Sequence, residues 1–185
     1  MRAGYLDRLG HIFAQLKSQG LQIPVIREKK KLAVLQLITA HDLQNQSLIH
    51  LLSKWRKQNE HFFPTQFRVS DRNTKEWLDK LVLQKKDRLL FIIKEHHSKK
   101  IIGHLGLYRT RLNPLSIEID NVVRGVSTGP DGLMTQSLLT LMEWAHTQFK
   151  FEAFFLQTFT DNARALSLYK RCGFSVVKTV PLVQK

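Results

Sequence analysis

The apolar residues near the N-terminus fall at helical spacing, at Leu6, Leu9, Ile12, Phe13 and Leu16. They predict a short amphipathic helix that ends at Gly20. An extended piece around Pro24 follows, and the charged run at 27–31 has the composition of a solvated linker. We therefore predict a basic amphipathic extension and linker over residues 1–31 and one folded domain over residues 32–185.

The body of the chain shows strand and helix patterns in turn. A strand is predicted at 32–38, two helices follow it, and the second helix begins near Asn73. Three strands at 88–94, 101–109 and 115–122 are joined by short links, which predicts antiparallel pairing. The remaining patterns predict a helix at 135–149, a strand at 153–159, a helix from Asn162 and a strand at 174–180.

The last predicted helix carries an ordered set of residues, namely Asn162, Ala165, Leu168, Tyr169, Gly173 and Phe174. Asn162 suits a helix N-cap, and Gly173 suits the left-handed residue that ends a helix. Capping does not explain the positions of the other four residues. This order resembles the C-terminal signature of the GNAT superfamily of acetyl-CoA-dependent N-acetyltransferases, and the order of elements over residues 32–180 is similar to that of the family.

The resemblance implies an α/β fold with a mixed, mostly antiparallel central sheet flanked by helices. It also implies acetyl-CoA as cosubstrate, with Asn162 beside the pantetheine arm and the Tyr169 hydroxyl protonating the departing thiolate. The family's last strand has no counterpart, because only residues 181–185 remain after the strand at 174–180. Three explanations stay open. The chain is shortened, the N-terminal extension fills the open place in the sheet, or a partner molecule, such as a second copy in a homodimer, fills it.

Glu118 and Asp120 are the candidate catalytic acids. They stand two residues apart on a predicted strand, so their side chains point to the same face. Two neighbouring carboxylates raise the pKa of at least one of them, which suits removal of a proton from an ammonium group. GNAT relatives place the acidic base on this strand, and we predict Glu118 as the base with Asp120 behind it. The alternative is a pair of acids on a solvated face.

A glycine-rich turn leads from this strand into the next helix. Such a turn presents free amides and the positive end of the helix dipole, which can bind a diphosphate. The resemblance implies that this turn is the loop that binds CoA. It also implies a set of cofactor contacts, namely Val122, Val123, Arg124, Gly129, Asp131, Gly132, Leu133, Met134, Asn162 and Tyr169. The loop departs from the family pattern at Gly129, where Gln or Arg is usual, and at Met134, where a small residue is usual. We expect the larger Met134 side chain to crowd the diphosphate.

Composition narrows the class of partner. The chain has 29 Lys and Arg against 15 Asp and Glu, a formal net charge of +14, which favours a polyanionic partner. No zinc-ligand, helix-turn-helix or RNA-binding pattern is present, so a nucleotide cofactor or nucleotide-linked substrate is expected rather than nucleic acid. The alternative is a generally basic surface that serves solubility. The lack of a long apolar run and the single cysteine favour a cytoplasmic protein without a membrane partner, and no metal site is expected.

The sequence therefore predicts transfer of acetyl from acetyl-CoA to a primary amine by direct attack. The acceptor stays open between an amino sugar carried on a nucleotide, which we favour, and the N-terminus of a ribosomal or other protein. The alternative from another class is a noncatalytic module that binds acyl-CoA or associates with nucleic acid.

Overall fold

A computed structural model describes residues 3–63 and 68–181, and six strands in them form one sheet in the order β1 to β6. The strands are β1 (Gln22–Arg27), β2 (Lys30–Leu37), β3 (Leu89–Glu95), β4 (Ile101–Leu112), β5 (Leu115–Arg124) and β6 (Ala153–Phe155). Neighbours from β1 to β5 pair antiparallel, and β5 pairs with β6 in parallel. The predicted α/β fold with a mixed, mostly antiparallel sheet is confirmed.

The main helices are α1 (Ala3–Gln19), α2 (Gln46–Gln58), α3 (Asp71–Leu78), α4 (Leu133–Phe149) and α5 (Ala163–Arg171). Short 3-10 turns occupy Ala40–Gln44 and Glu60–Phe62, and a π-helical turn, Asp79–Leu83, continues α3. Helix α3 begins two residues before the predicted Asn73, because the Ser70 hydroxyl accepts the Asn73 amide and acts as the cap.

Both faces of the sheet are covered, so the chain has two apolar cores. Along β3, Phe91 and Ile93 belong to one core together with residues of α1 and α4, whereas Leu90 and Ile92 belong to the other with residues of α2 and α3. Alternate residues of a strand point to opposite faces. This two-sided burial explains why β3 is an almost continuous apolar run in the sequence.

The segment predicted as a linker is part of the sheet. Residues 22–27 form β1, which pairs with β2, and the charged residues at 28–29 are the turn between them. Helix α1 packs on the same core, since the Phe13 ring is fully buried and lies 5.3 Å from the Phe149 ring. The Lys17 ammonium also donates hydrogen bonds to the carbonyls of Val82 and Leu83 at 3.0 and 3.1 Å, which ties α1 to the π-helical turn.

The prediction of a strand at 174–180 is wrong, because these residues have no regular secondary structure. Val176 and Val177 are 74% and 94% exposed. A β-branched sequence forms a strand only where another strand offers hydrogen bonds, and none lies beside this segment within the described residues. The strand predicted at 153–159 is likewise reduced to Ala153–Phe155, the three residues that pair with β5.

The turn between β3 and β4 is held by the Glu95 carboxylate. Its two oxygens accept hydrogen bonds from the amides of His97 and Ser98, at 2.9 and 2.6 Å. Hydrogen bonding from Ser98 and then from the His97 amide lowers the pKa of Glu95 to about 2. The charged form of Glu95 is therefore favoured in the folded protein.

We expect Glu95 to stabilise the fold in a pH-dependent way. Because its folded pKa lies below the ordinary value, the contribution is complete above about pH 4.5 and is lost as the pH falls towards 2. In urea unfolding from pH 6 to pH 3, the wild type should exceed Glu95→Gln in stability at pH 6, and the difference should shrink on acidification. A difference that stays constant over this range would contradict the assignment.

Candidate active site

The sheet opens where β5 and β6 separate. Their parallel pairing covers only Ser116, Ile117 and Glu118 of β5, opposite Ala153–Phe155. Strand β5 continues to Arg124, and within the described residues no strand pairs with its β6 side after Glu118. The backbone of 119–124 can therefore pair with an extended ligand, as a sheet edge pairs with an added strand. The predicted contacts Val122 and Val123 lie on this stretch.

A β-bulge shapes the same stretch of β5. Gly106 pairs with Asp120 and His104 pairs with Val123, so two residues of β5 stand opposite one residue of β4. One of the two, Asn121, has a φ of +52°. Its carbonyl oxygen lies 2.7 Å from Nδ1 of His104. The open edge of β5 is thus irregular at the point where the predicted contacts begin.

Gly125 follows the end of β5 and is packed directly under Trp55. A Cβ atom on Gly125 would lie 1.8 Å from a ring carbon of Trp55, whose side chain is almost fully buried. The Gly125 amide also donates to the carbonyl of Ile102 at 2.9 Å. The glycine in the Arg124-Gly125 pair is therefore required by packing against α2.

The loop after Gly125 leads into an uncapped helix N-terminus. Gly132 precedes α4 in the left-handed conformation, and no side chain caps the first turn. Leu133 and Met134 are buried in the apolar core. The Met134 side chain is only 6% exposed, and its predicted crowding of a diphosphate stays a prediction. Gly129 and Asp131 lie in the loop itself, where the Asp131 carbonyl is engaged by Arg27 at 2.9 Å.

Three arginines from different elements lie around this loop. The Arg124 guanidinium donates to the carbonyls of Val126 and Ser127 at 3.0 and 2.9 Å, which binds the loop to the end of β5. Arg27 comes from β1, and Arg171, at the end of α5, contacts the Thr135 hydroxyl at 3.5 Å. Sequence reasoning missed Arg27 and Arg171, because only the fold brings β1 and α5 to this helix end. Together with the helix N-terminus, these cations suit a diphosphate.

Glu118, the acid predicted as base, is engaged by Arg109. Its two carboxylate oxygens accept hydrogen bonds from Nε and Nη2 of Arg109 at 2.5 and 2.8 Å. The Glu118 side chain is 5% exposed. A bidentate pair of this kind occupies both of the oxygens that would otherwise take up a proton. This geometry suits a structural acid better than a base.

Asp120 lies on the same face with more open surroundings. Its Oδ2 pairs with the Arg88 guanidinium and accepts from the Asn121 side-chain amide, the latter at 2.7 Å. Within the described residues, Oδ1 has no hydrogen-bond partner. The side chain is 24% exposed. Asp120 can therefore receive a proton from a group in the opening.

Tyr169, the predicted proton donor, is a buried residue of α5. Burial, with a smaller contribution from the charge of Asp120, raises the pKa of Tyr169 to about 12. The hydroxyl therefore keeps its proton at neutral pH, and within the described residues it forms no hydrogen bond. Asn162 accepts the Ala165 amide at 3.1 Å, so its side chain caps α5. The cofactor role predicted for Asn162 stays a prediction.

Arg56 of α2 and Arg88, which lies just before β3, stack on aromatic rings on the Asp120 side of the sheet. The Arg56 guanidinium lies 3.7 Å from the Phe63 ring centre, and that of Arg88 lies 4.3 Å from the Tyr108 ring centre. Burial lowers the pKa of Arg56 to about 10, while the charge of Asp120 opposes this effect. Two cations stacked on aromatic faces thus lie near the candidate base.

Two further observations concern other kinds of site. In residues 3–63 and 68–181, no group of three or more His, Cys, Asp and Glu side chains is arranged to hold a metal ion. Of the helices in those ranges, none is both long enough and apolar enough to cross a membrane.

Comparisons with known proteins agree on one family. The family model described as "Acetyltransferase (GNAT) domain" matches residues 33–175. The acetyltransferase from Salmonella typhimurium that modifies the N-terminal serine of ribosomal protein L7/L12 is 18% identical, with a TM-score of 0.69 over 85% of this chain and 87% of that chain. No curated protein sequence gives a significant match.

Two other solved structures differ from that enzyme in their acceptors. Spermidine N-acetyltransferase from Vibrio cholerae, solved with CoA and spermine, is 18% identical, with a TM-score of 0.61 over 76% of this chain and 79% of that chain. FdhC, described as a nucleotide-linked sugar GNAT, is 16% identical, with a TM-score of 0.61 over 80% of this chain and 82% of that chain. At these identities the likeness establishes the fold and leaves the acceptor open.

We expect Gly125→Ala to destabilise the protein by about 1–3 kcal/mol, because the added methyl group overlaps the buried Trp55 ring. Urea unfolding would measure this cost. Gly4→Ala is the matched control, since no atom lies within 4 Å of a Cβ there, and alanine in a helix should leave stability equal or higher. Equal effects of the two substitutions would show that Trp55 does not constrain Gly125.

Proposed function

The chain belongs to the GNAT acetyltransferase family, and we propose that it transfers the acetyl group of acetyl-CoA to a primary amine by direct attack. The observation that carries the proposal is the early end of the β5–β6 pairing at Glu118, which leaves a bulged strand edge between two candidate groups for proton transfer. Asp120 lies near enough to Tyr169 for its charge to raise the tyrosine pKa. The candidate base, Asp120, and the candidate acid, Tyr169, therefore lie at the same opening of the sheet.

Acetyl-CoA supplies the activated thioester when it binds. We assign its diphosphate to the N-terminus of α4, with Arg27, Arg124 and Arg171 as the surrounding cations. The pantetheine arm would pair with the backbone of Val122 and Val123 on the open edge of β5. The uncapped first turn of α4 supports this assignment, because it leaves the helix end accessible.

We assign proton removal to Asp120 rather than to Glu118. The acceptor ammonium gives a proton to Asp120, directly or through water, and the amine lone pair then attacks the thioester carbonyl carbon. The new C–N bond forms as the C–S bond breaks, and the Tyr169 hydroxyl gives its proton to the departing thiolate. The second proton of the attacking nitrogen then passes to the tyrosinate, directly or through water, which leaves a neutral amide and restores Tyr169. Glu118, paired with Arg109, holds β4 and β5 together below the opening.

The acceptor that fits best is an amine with an anionic group nearby, such as an amino sugar carried on a nucleotide. Arg56 and Arg88 lie on the Asp120 side of the sheet, stacked on Phe63 and Tyr108. Such guanidinium groups suit phosphate recognition and disfavour a polycationic amine. The N-terminus of a protein is the second candidate, supported by the similarity to the enzyme that modifies a ribosomal protein. A noncatalytic acyl-CoA-binding or nucleic-acid-associated module is the alternative from another class.

Substitution of either proton-transfer residue should lower turnover by about 100-fold while acetyl-CoA binding persists. The variants are Tyr169→Phe, which keeps the packed ring, and Asp120→Asn, which keeps the shape of the side chain. Calorimetry would measure binding, and amine-dependent release of free thiol would measure turnover.

Glu118→Gln is the control for the assigned base, and it should lower stability more than turnover. Loss of turnover in Glu118→Gln with little change in Asp120→Asn would reverse the assignment. A wild-type protein that binds no acetyl-CoA would favour the noncatalytic module, and salt-sensitive binding to nucleic acid would then support it.

The nucleotide part of the acceptor can be tested with a matched pair of substrates. We expect kcat/KM for a nucleotide-linked amino sugar to exceed that for the free amino sugar by at least about tenfold, since a charge-assisted contact contributes roughly 1.5–3 kcal/mol. The advantage should fall as salt is added. A peptide with a free N-terminus and spermidine complete the panel, and a preference for either would replace the proposed acceptor.

A further inference from the structure

His104 is a buried histidine that the proposed proton transfers do not use. It lies on β4, is 5% exposed, and its ring centre is 6.1 Å from that of Trp55. Burial lowers the pKa of His104 to about 4, so the ring is neutral at neutral pH. Because the Asn121 carbonyl 2.7 Å away can only accept a hydrogen bond, Nδ1 carries the hydrogen.

The hydrogen bond from His104 reaches the residue at which β5 departs from regular pairing. Asn121 lies between the paired positions of Asp120 and Val123, and its φ is +52°. Asparagine adopts this left-handed conformation more readily than other non-glycine residues, which suits it to the bulge. The Nδ1–H of His104 provides a fixed donor for the Asn121 carbonyl within the bulge.

The surroundings keep the His104 ring in one position. The Trp55 ring packs against His104 and also leaves no space for a side chain on Gly125. Gly103, next to His104, is equally constrained, since a Cβ there would lie 2.2 Å from the Val123 carbonyl oxygen. Two charged groups, Asp120 and Arg56, act on the ring with opposite effects on its pKa. The imidazole therefore meets the Trp55 ring and, through Nδ1, the Asn121 carbonyl of the bulge.

We propose that His104 is a positioning residue, which fixes the bulge of β5 so that the backbone of Val122 and Val123 can bind the pantetheine arm of the cosubstrate. This inference rests on the proposed function, because it assumes that the arm binds along β5. His104 acts through the backbone and contacts no reacting atom. Its loss should weaken binding of the arm while the diphosphate loop is unaffected.

Two variants of His104 separate the hydrogen bond from the packing of the ring. His104→Asn removes the ring, but its side-chain amide can donate from nearly the position of Nδ1. His104→Leu has a similar size and removes the donor. Both variants lose the aromatic ring, and only His104→Leu loses the donor. A loss of CoA affinity in His104→Leu alone therefore reports the hydrogen bond to Asn121.

Calorimetry with two ligands is the first measurement. CoA contains the pantetheine arm, whereas adenosine 3′,5′-bisphosphate lacks it. We expect His104→Leu to raise the Kd for CoA by about tenfold or more, as loss of a buried hydrogen-bond donor predicts. His104→Asn should stay within about threefold of the wild type. Both should bind the bisphosphate like the wild type.

Hydrogen exchange at the amides of 121–123 tests, without a ligand, whether His104 holds the bulge of β5 in place. Exchange should be faster in His104→Leu and close to wild type in His104→Asn. Equal exchange and equal CoA affinity in the two variants would overturn the inference and reduce His104 to a packing residue. Wild-type binding of CoA without turnover would instead contradict the proposed acetyl transfer and leave the inference standing, whereas no binding of CoA would overturn both.

Discussion

The early end of the pairing between β5 and β6 determines the rest of the site. Parallel strands need a crossover connection, and α4 supplies it between the end of β5 and the start of β6. The N-terminus of α4 must then lie beside the end of β5, at the side where the two strands have separated. The free strand edge and the positive end of a helix dipole are brought together by this topology alone.

The two acids on β5 show how strand register separates residues that look equivalent in sequence. Alternation correctly places Glu118 and Asp120 on one face, but their partners come from other segments. Arg109 reaches Glu118 across the β4–β5 hairpin, and its φ of +51° accompanies a shift of register there. Arg88 lies just before β3. No local pattern indicates which arginine meets which carboxylate, so the sequence cannot assign their roles.

Elements with a strong local signal were predicted well, and elements that depend on distant partners were not. The helices α1, α4 and α5 follow from apolar spacing and caps, and the three antiparallel strands follow from short links. The segment at 174–180 has the composition of a strand without a neighbour to pair with. Residues 22–27 form a strand because they pair with β2, although their sequence predicts only an extended piece followed by a linker. The glycine at position 125 is explained by Trp55, which lies seventy residues earlier in the chain and packs against it.

The arrangement of cations has a consequence for both substrates. Arg27, Arg124 and Arg171 surround the start of α4, whereas Arg56 and Arg88 lie near Asp120 on the face covered by α2 and α3. Asp120 pairs with Arg88, and its charge also acts on Arg56, so an ammonium acceptor is attracted to Asp120 but repelled by those two cations. An anionic group on the acceptor reverses that repulsion and brings the amine to the carboxylate. In the proposed function, contacts of one kind, between guanidinium groups and phosphate, would serve both the diphosphate and the acceptor.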